Sequence, residues 1–339
     1  MESTSEKETE NYNFSSNKDI NLWIVTEGMA GTENQCLGIA EHLGVSNVLV
    51  KHIGLKFPFN LLCPHIIKKA PRWAIKNDDW PTSNDCDGAW PDIVLASGRK
   101  AVSASLSIPK AFKVFIQNPR IDPKYFDLVA IPAHDNVTGD NVIVTKGAPN
   151  RIHNASLQGA ATRFKDMFSH LPERKIAIMI GGNSKTHSMP DNFAKILFSQ
   201  LLPYLQSGEC GVLITCSRRT PAHIQDQIAS LFSTPNCYIW DGTGDNPYHA
   251  FLAEADALLV TEDSTSMLSD ALTTGKPTYR LPLIGGSAKF DRLYASLENH
   301  GGLRVFEGEL ETWNYEPLND AKMVADEIQK RFAIHAQET

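Results

Sequence analysis

The chain has 339 residues, of which 42% are hydrophobic, and it carries a net charge of −7 with a pI near 5.9. This length and apolar content predict about two domains with large cores, and the acidic balance gives no general reason to expect nucleic acid as a partner. The six cysteines include no CxxC pair and the eleven histidines no HExxH motif. The sequence therefore supports neither a disulfide framework nor a metal site, and no metal or cofactor is expected.

The N-terminal segment, residues 1–19, is polar and lacks the apolar core of a signal peptide. No later run reaches the roughly 20 apolar residues of a membrane span. We therefore expect a disordered tail followed by a soluble, cytoplasmic protein.

Short β-branched runs, often without polar alternation, recur along the chain and predict parallel strands covered on both faces. They lie at 21–26, 47–53, 92–97, 113–117, 128–132 and 141–146, and then at 175–180, 211–216, 237–240, 257–262 and 277–281. Helix-like segments between them predict an α/β fold with two Rossmann-like domains. We assign the tail to 1–19, the first domain to 20–165, the second domain to 172–318 and a C-terminal helix to 319–339.

The loops after the strands of the first domain contain candidate ligand contacts, because doubly wound sheets bind ligands there. Residues 26–35 form a Gly-containing turn before a predicted helix at 35–43, either an anion or sugar loop or a plain tight turn. Arg99 is predicted at the start of a helix, where its guanidinium is either an anion ligand or a solvated surface group. His134, beside Asp135, is the best acid–base candidate, although a structural role is the alternative. The candidates in this domain are Glu27, Gly28, Gly31, Asn34, Gln35, Arg99, Asn118, Arg120 and His134.

One basic stretch of the first domain, between Lys51 and Lys76, has five Lys, one Arg and no acid, with apolar residues between them. Such a pattern predicts an amphipathic patch for an anionic membrane surface, or a docking face for a lipid-linked or protein partner. The alternative is a core helix whose Lys side chains extend to solvent.

Polar loops also follow successive strands of the second domain. After the strand at 175–180, two glycines would let the backbone approach a phosphate, and Ser184 and Lys185 supply a donor and a charge. The loops after the strands at 211–216 and 237–240 contain Arg218 and Asp241. Each loop alone is compatible with a turn and a solvated charge, but together they predict a nucleotide-diphosphate pocket. The candidates are Gly181, Gly182, Ser184, Lys185, Ser217, Arg218, Asp241 and Asn246.

The stretch at 258–279 predicts a strand that leads directly into a hydroxyl-rich helix start. Asp263 and Ser264 are good N-caps, and the helix start offers free N–H groups and a positive dipole end to an anion. Asp270 lies one turn further along, where its carboxylate suits a ribose or sugar hydroxyl. The alternative is an ordinary capped core helix. The candidates here are Ser264, Thr265, Ser266, Met267 and Asp270.

The motifs as a set resemble the mitochondrial fission (elongated-mitochondria) protein family, in its bacterial type. In chain order they are TEGMAGTENQ, ASGRK, IQNPR, PAHD, GGNSK, TCSRRTP, WDGTGDNPY and TEDSTSMLSDALTTGKP. That family is similar to glycosyltransferase-B-like enzymes, which have two facing Rossmann-like domains with an interdomain cleft. The resemblance implies a nucleotide-sugar donor on the second domain, an acceptor on the first, and a C-terminal helix that returns to the first domain. It also implies that Asp270 meets the ribose, where the related enzyme has Glu.

The leading hypothesis is a metal-independent glycosyltransferase that uses a nucleotide-activated sugar. Arg218 or Lys185 would neutralise charge on the leaving group, and His134 or Glu27 would be the base. The competing hypothesis is a non-catalytic adaptor, because the resemblance implies plant members that act as fission factors and recruit a dynamin-related protein. Such an adaptor would use the stretch between Lys51 and Lys76 and lie at the inner face of a membrane.

Overall fold

The computed structural model describes residues 20–77, 79–81 and 90–338, so the predicted tail at 1–19 lies outside the described residues. The chain divides into two compact units. Unit 1 comprises the described residues up to Thr145, Pro149–Arg151 and those from Asn319 onward, and unit 2 comprises Lys146–Ala148 and Ile152–Leu318. The division lies near residue 150, whereas the sequence predicts a boundary between 165 and 172. The helix at 154–164 accounts for the difference, because its residues Leu157 and Phe164 pack in the core of unit 2.

Unit 1 is built around a six-stranded parallel sheet with the strand order β2-β1-β5-β6-β7-β8. Its elements before residue 146 are β1 (Asn21–Thr26), α1 (Ala30–Leu43), β2 (Asn47–His52), β3 (Gly54–Leu55), α2 (Phe59–Leu62), β4 (Ile75–Lys76), β5 (Ile93–Ala96), α3 (Arg99–Ser105), β6 (Phe112–Ile116), β7 (Leu128–Pro132) and β8 (Val142–Thr145). Short 3₁₀ turns occupy Arg72–Ala74, Pro123–Tyr125 and Ala133–Asp135.

Unit 2 repeats this plan with a parallel sheet in the order β12-β11-β9-β13-β14-β16. Its elements are α4 (Asn154–Phe164), a 3₁₀ turn at Lys165–Phe168, β9 (Arg174–Ile180), β10 (His187–Ser188), α5 (Phe193–Ser207), β11 (Cys210–Cys216), α6 (Ala222–Leu231), β12 (Cys237–Trp240), α7 (Tyr248–Glu254), β13 (Ala257–Thr261), α8 (Thr265–Thr273), β14 (Thr278–Leu281), β15 (Ile284–Gly285), α9 (Ala288–Asn299) and β16 (Leu303–Val305). The last helix of the chain, α10 (Asp320–Glu338), belongs to unit 1.

Successive residues of the central strands face opposite cores, because side chains alternate across a sheet. In β1, Leu22 and Ile24 join one apolar cluster of unit 1, and Trp23 and Val25 join the other. Helix α10 covers the first of these clusters with the fully buried Ile328. The sheet of unit 2 is covered in the same way, since β9 places Ala177 and Met179 in one apolar cluster and Ile176 and Ile178 in another. Both faces of each sheet are therefore covered, which explains the near-continuous apolar runs in the sequence.

The predicted α/β class with two Rossmann-like domains is confirmed, and each of the predicted strand runs overlaps an observed strand. The start of α1 was predicted wrongly: the helix begins at Ala30 rather than at residue 35. Gly31 and Asn34 therefore lie in a helix and not in a turn, whereas Gln35 is helical as predicted. The carbonyl of Met29 accepts the backbone N–H of Thr32 and thereby starts the first turn early.

Each sheet has a point where the strand order reverses, between β1 and β5 in unit 1 and between β9 and β13 in unit 2. In open α/β sheets, ligands bind outside the carboxyl ends of the strands at this point. A ligand site of unit 2 is therefore expected at the loops that follow β9 and β13. None of the helices in the described part of the chain is long and apolar enough to cross a membrane.

Candidate functional site

The loop after β9 packs directly against two neighbouring segments of unit 2. The amide of Gly181 donates to Oγ1 of Thr261 at 2.6 Å, and the amide of Gly182 donates to Oδ2 of Asp263 at 3.1 Å. A Cβ on Gly181 would lie 2.2 Å from Oδ1 of Asp263, and one on Gly182 would lie 2.0 Å from the carbonyl oxygen of Arg219. Both positions require glycine because other parts of the protein occupy the space of a side chain.

This contact changes the role expected for the loop. The next amides are engaged as well, since that of Asn183 donates to the Arg219 carbonyl at 3.2 Å and that of Ser184 to the His187 carbonyl at 2.9 Å. The glycines thus serve protein packing and present no free amides to a phosphate, which corrects the reason given for them from sequence. Lys185 remains exposed and makes no hydrogen bond to the described residues.

The two arginines after β11 have different environments. Nη1 of Arg219 lies 2.8 Å from Oδ2 of Asp263, whose side chain is fully buried. Arg218 is exposed, lines a pocket and forms no ion pair with the described residues. Asp263 is therefore a structural anchor rather than a helix cap, and Arg218 is the guanidinium that remains available to a ligand.

The start of α8 retains unpaired donors. Ser264 is the N-cap, as the sequence predicts, and its Oγ accepts the amide of Met267 at 3.4 Å. Within the described ranges, the amides of Thr265 and Ser266 donate to no protein group. A nine-residue helix with free amides at its first turn favours a bound anion.

A pocket of about 970 Å³ opens at the carboxyl ends of β11 and β12. Ile180 at the end of β9 also lines it, and so does Trp240. The predicted residues that line it are Ser217, Arg218, Asp241, Asn246 and Met267. Charged side chains at its edge include Asp226, which the sequence analysis missed because this residue lies on α6 rather than in a loop.

Asp270 is connected to this pocket through a tyrosine. The hydroxyl of Tyr248, which lines the pocket, donates to Oδ2 of Asp270 at 2.9 Å. Burial raises the pKa of Asp270 to about 7, against the opposing effect of the Tyr248 hydrogen bond, and burial beside this carboxyl holds the pKa of Tyr248 well above its usual range. The carboxyl is therefore partly protonated near neutral pH and is able both to donate and to accept.

Tyr248 was not among the predicted residues, and a local signal explains its position. Oδ1 of Asn246 accepts the amide of Tyr248 at 3.0 Å and so fixes the first turn of α7. The carboxylate of Asp241 accepts the amide and the hydroxyl of Thr243 at 2.9 and 2.7 Å. Asn246 and Asp241 thus line the pocket and also hold the backbone of its wall in place.

The candidate residues near the β1 and β5 ends of unit 1 are engaged in structural contacts. Oε1 of Glu27 accepts the amide of Lys100 at 2.9 Å, and Oε2 lies 3.1 Å from Nζ of Lys100. Arg99 donates to the carbonyls of Cys63 at 3.0 Å and Asn60 at 2.8 Å. Arg99 therefore holds the segment around α2, and Glu27 anchors the start of α3.

The remaining candidates of unit 1 lie in turns or in helix α1. Gln35 is buried and accepts from Gln117 at 3.2 Å, and Asn118 accepts the amide of Arg120 at 2.8 Å within a tight turn. His134 follows β7 in a 3₁₀ turn and is only 4% exposed, so its catalytic role stays a prediction. Gly28 adopts a positive φ, and Gly31 and Asn34 are exposed on α1. Among the described residues, no three His, Cys, Asp or Glu side chains are grouped to hold a metal ion.

Comparison with known proteins places the chain in a family. A sequence model described as "Mitochondrial fission ELM1" matches residues 30–332. The mitochondrial fission protein ELM1 of Arabidopsis thaliana is 35% identical over 276 residues, which cover 72% of this chain. The match spans 64% of the length of that plant protein.

Solved structures with the same fold include a UDP-GlcNAc 2-epimerase and a protein solved with UDP. UDP-GlcNAc 2-epimerase from Methanocaldococcus jannaschii has a TM-score of 0.52 at 12% identity, with 91% of this chain and 98% of that chain covered. MnaA of S. aureus, solved with UDP, has a TM-score of 0.52 at 12% identity, with 93% and 91% covered. These likenesses show a shared glycosyltransferase-B-like fold. From the extent of the family match and the identity to the plant relative, we conclude that the chain belongs to the mitochondrial fission ELM1 family.

Proposed function

We propose that unit 2 binds a nucleotide-activated sugar and that the protein is a glycosyltransferase-like enzyme. The observation that carries the proposal is the exposed Arg218 guanidinium, which lines the pocket of about 970 Å³ without an ion pair to the described residues. This volume suits a ligand of nucleotide-sugar size. A charged donor at the wall of such a pocket favours an anionic ligand.

The side chains around the pocket suit the parts of a nucleoside diphosphate. The Arg218 guanidinium has the planar geometry that binds phosphate oxygens in a bidentate way. The free amides of Thr265 and Ser266 offer a second site for phosphate charge. Asp270 and Tyr248 offer a carboxyl and a hydroxyl for ribose hydroxyls, and the Arg219–Asp263 pair holds the intervening loop in place.

In a transfer reaction, Arg218 would stabilise the charge that develops on the leaving diphosphate, which is the main electrostatic demand of this chemistry. The acceptor side needs a base. His134 and Glu27 remain the predicted candidates for it. Since Glu27 is paired with Lys100, His134 is the better candidate of the two.

The proposal is tested by calorimetric titration of the full-length protein. UDP and UDP-GlcNAc are the first probes, because solved structures of this fold are described as complexes with these molecules. GDP and ADP follow. Arg218→Ala should weaken binding about 10- to 100-fold, as expected for the loss of a hydrogen bond to a charged group. Arg174→Ala is the matched control, because this exposed arginine begins β9 at the opposite end of the strand. Equal affinity in the wild type and Arg218→Ala, or no binding of any nucleotide, would contradict the site.

A non-catalytic adaptor is the second candidate function. It is favoured by the engagement of Glu27 and Arg99 in structural contacts, which removes two polar groups from the acceptor side. It is also compatible with the name of the plant relative. Nucleotide binding without any release of UDP from UDP-GlcNAc, measured across a panel of sugar and lipid acceptors, would favour the adaptor over the enzyme.

A further inference from the structure

The segment between β3 and β4 exposes large apolar side chains. Phe57 is 78% exposed, Leu61 66%, Ile66 75% and Trp73 63%. Single exposed apolar residues are normal on a protein surface, but a group of four in one short segment is not. A surface of this kind indicates an interaction site that a partner molecule or a membrane covers.

The segment is firmly attached to unit 1, so these side chains are held outward. Its buried residues Leu55, Cys63 and Ala70 pack in the core of the unit. β3 and β4 pair in an antiparallel ribbon, and Arg99 binds two carbonyls of the segment. The fold therefore fixes the apolar side chains in the exposed positions instead of letting them collapse inward.

Two of the apolar side chains are brought together by backbone contacts. The amide of Lys56, next to Phe57, donates to the carbonyl of Ala74, next to Trp73, at 2.8 Å. The rings of Phe59 and Trp73 pack edge to face, with centroids 5.1 Å apart. The two ends of the segment, which carry Phe57 and Trp73, therefore lie close together.

The charged side chains around this surface are mostly positive. Lys56, Lys69 and Lys76 are exposed beside it, and the stretch between Lys51 and Lys76 contains no acid although the whole chain carries −7. A basin of about 940 Å³ beside Trp73 is lined by basic residues, with Asp79 as an acid in its wall. The basic residues of the basin are His52, Lys56, Arg72 and Lys76.

We propose that this face docks unit 1 on an anionic phospholipid bilayer, with Phe57, Leu61, Ile66 and Trp73 inserted at the headgroup boundary and the lysines on lipid phosphates. Apolar insertion combined with lysine attraction is the physical basis of interfacial binding. A symmetric contact with a second copy is disfavoured, because it would bring two basic faces together. The docking is independent of the nucleotide site in unit 2.

The test is binding of the full-length protein to sedimented vesicles, either of phosphatidylcholine alone or with 30% phosphatidylglycerol. The wild type should bind the anionic vesicles at least about tenfold more strongly, and raising the salt from 0.1 to 0.5 M should weaken this binding. The double variant Phe57→Ser/Trp73→Ser should lose at least about tenfold in binding to anionic vesicles. The matched control is Ile196→Ser/Ile284→Ser, which removes two exposed apolar side chains of unit 2 and should bind like the wild type.

A charge variant tests the same surface without altering its apolar part. Lys56→Glu/Lys69→Glu should also lose at least about tenfold, whereas Lys165→Glu/Lys195→Glu, on exposed lysines of unit 2, should lose much less. Equal binding to neutral and anionic vesicles, or no effect of either patch variant, overturns the proposal. A concentration-dependent dimer of the wild type that Phe57→Ser/Trp73→Ser abolishes, without vesicle binding, also overturns it, because the occupant would then be a second copy.

Discussion

Gly182→Ala should destabilise unit 2 strongly, because the added methyl group meets the backbone of another loop. The new Cβ would lie 2.0 Å from the carbonyl oxygen of Arg219 and 2.2 Å from its carbon, whereas ordinary contact begins near 3.4 Å. The two loops therefore have to separate by more than about 1 Å. Gly182 has no positive φ, so steric overlap and not backbone strain is the cause.

The magnitude follows from the contacts that hold the Arg219 loop. The Asn183 amide donates to the Arg219 carbonyl at 3.2 Å, Oγ1 of Thr220 donates to the Ile180 carbonyl at 3.2 Å, and Arg219 pairs with Asp263 at 2.8 Å. Overpacking costs about 1–3 kcal/mol, and each lost hydrogen bond adds about 1 kcal/mol. Overpacking and the loss of the two hydrogen bonds together predict a loss of about 3–5 kcal/mol in the free energy of unfolding, equivalent to a fall of roughly 10 °C in Tm for a domain of this size.

Differential scanning calorimetry and urea unfolding measure this loss. Gly159→Ala is the control, because Gly159 lies exposed on α4 and a Cβ added there would have no other atom within 4 Å. Alanine is the better helix former, so this variant should gain about 0.5–1 kcal/mol. If Gly182→Ala unfolds within about 0.5 kcal/mol of the wild type while Gly159→Ala behaves as expected, the close approach of the two loops is refuted.

Other variants test the carboxyl groups and the C-terminal helix. The unfolded Asp270 carboxyl ionises above about pH 4 and the folded one near pH 7, so this group destabilises the protein progressively from pH 4 to 7. Asp270→Asn should remove that loss, which amounts to about 4 kcal/mol for this pKa difference, and should be more stable than the wild type by up to about that amount at pH 8 in urea unfolding. The hydrogen bond from Tyr248 stabilises the ionised carboxylate of Asp270, so Tyr248→Phe should raise the pKa of Asp270 further, as measured by ¹³C NMR. Arg219→Ala leaves the buried Asp263 without its cation and should cost about 2 kcal/mol of unfolding free energy. Ile328→Ala, at a fully buried position of α10, should cost about 2–4 kcal/mol and lower the Tm of unit 1.

The strands and the start of α8 were predictable because their signals are local. A buried parallel strand needs a short β-branched run, and VLV or LVAI shows this directly in the sequence. Ser264 was predicted as a cap because a serine hydroxyl can accept the amide three residues later, here that of Met267, which has no partner within the helix. The start of α1 was missed because a backbone carbonyl, that of Met29, and not a side chain organises its first turn.

The division of roles within the site was not predictable, because it depends on residues far apart in sequence. Arg218 and Arg219 are neighbours of the same type, and only the buried Asp263, more than forty positions later, determines which of them is engaged. Likewise, Gly182 resembles a phosphate-binding glycine until the position of Arg219 is known. The sequence shows which loops follow the strands, but it does not show which partners their side chains have in the fold.

The two strand-order reversals of the chain differ in one physical respect that bears on function. At the end of β1, the carboxylate of Glu27 already has a cation and an amide of Lys100 as partners. At the ends of β11 and β13, the Arg218 guanidinium and the first amides of α8 have no partner among the described residues. A phosphate must exchange its hydration for new charged hydrogen bonds, and only donors that are not already engaged offset that cost. Arg218 and the first amides of α8 meet this condition, so an anionic ligand is expected in unit 2, beside its strand-order reversal.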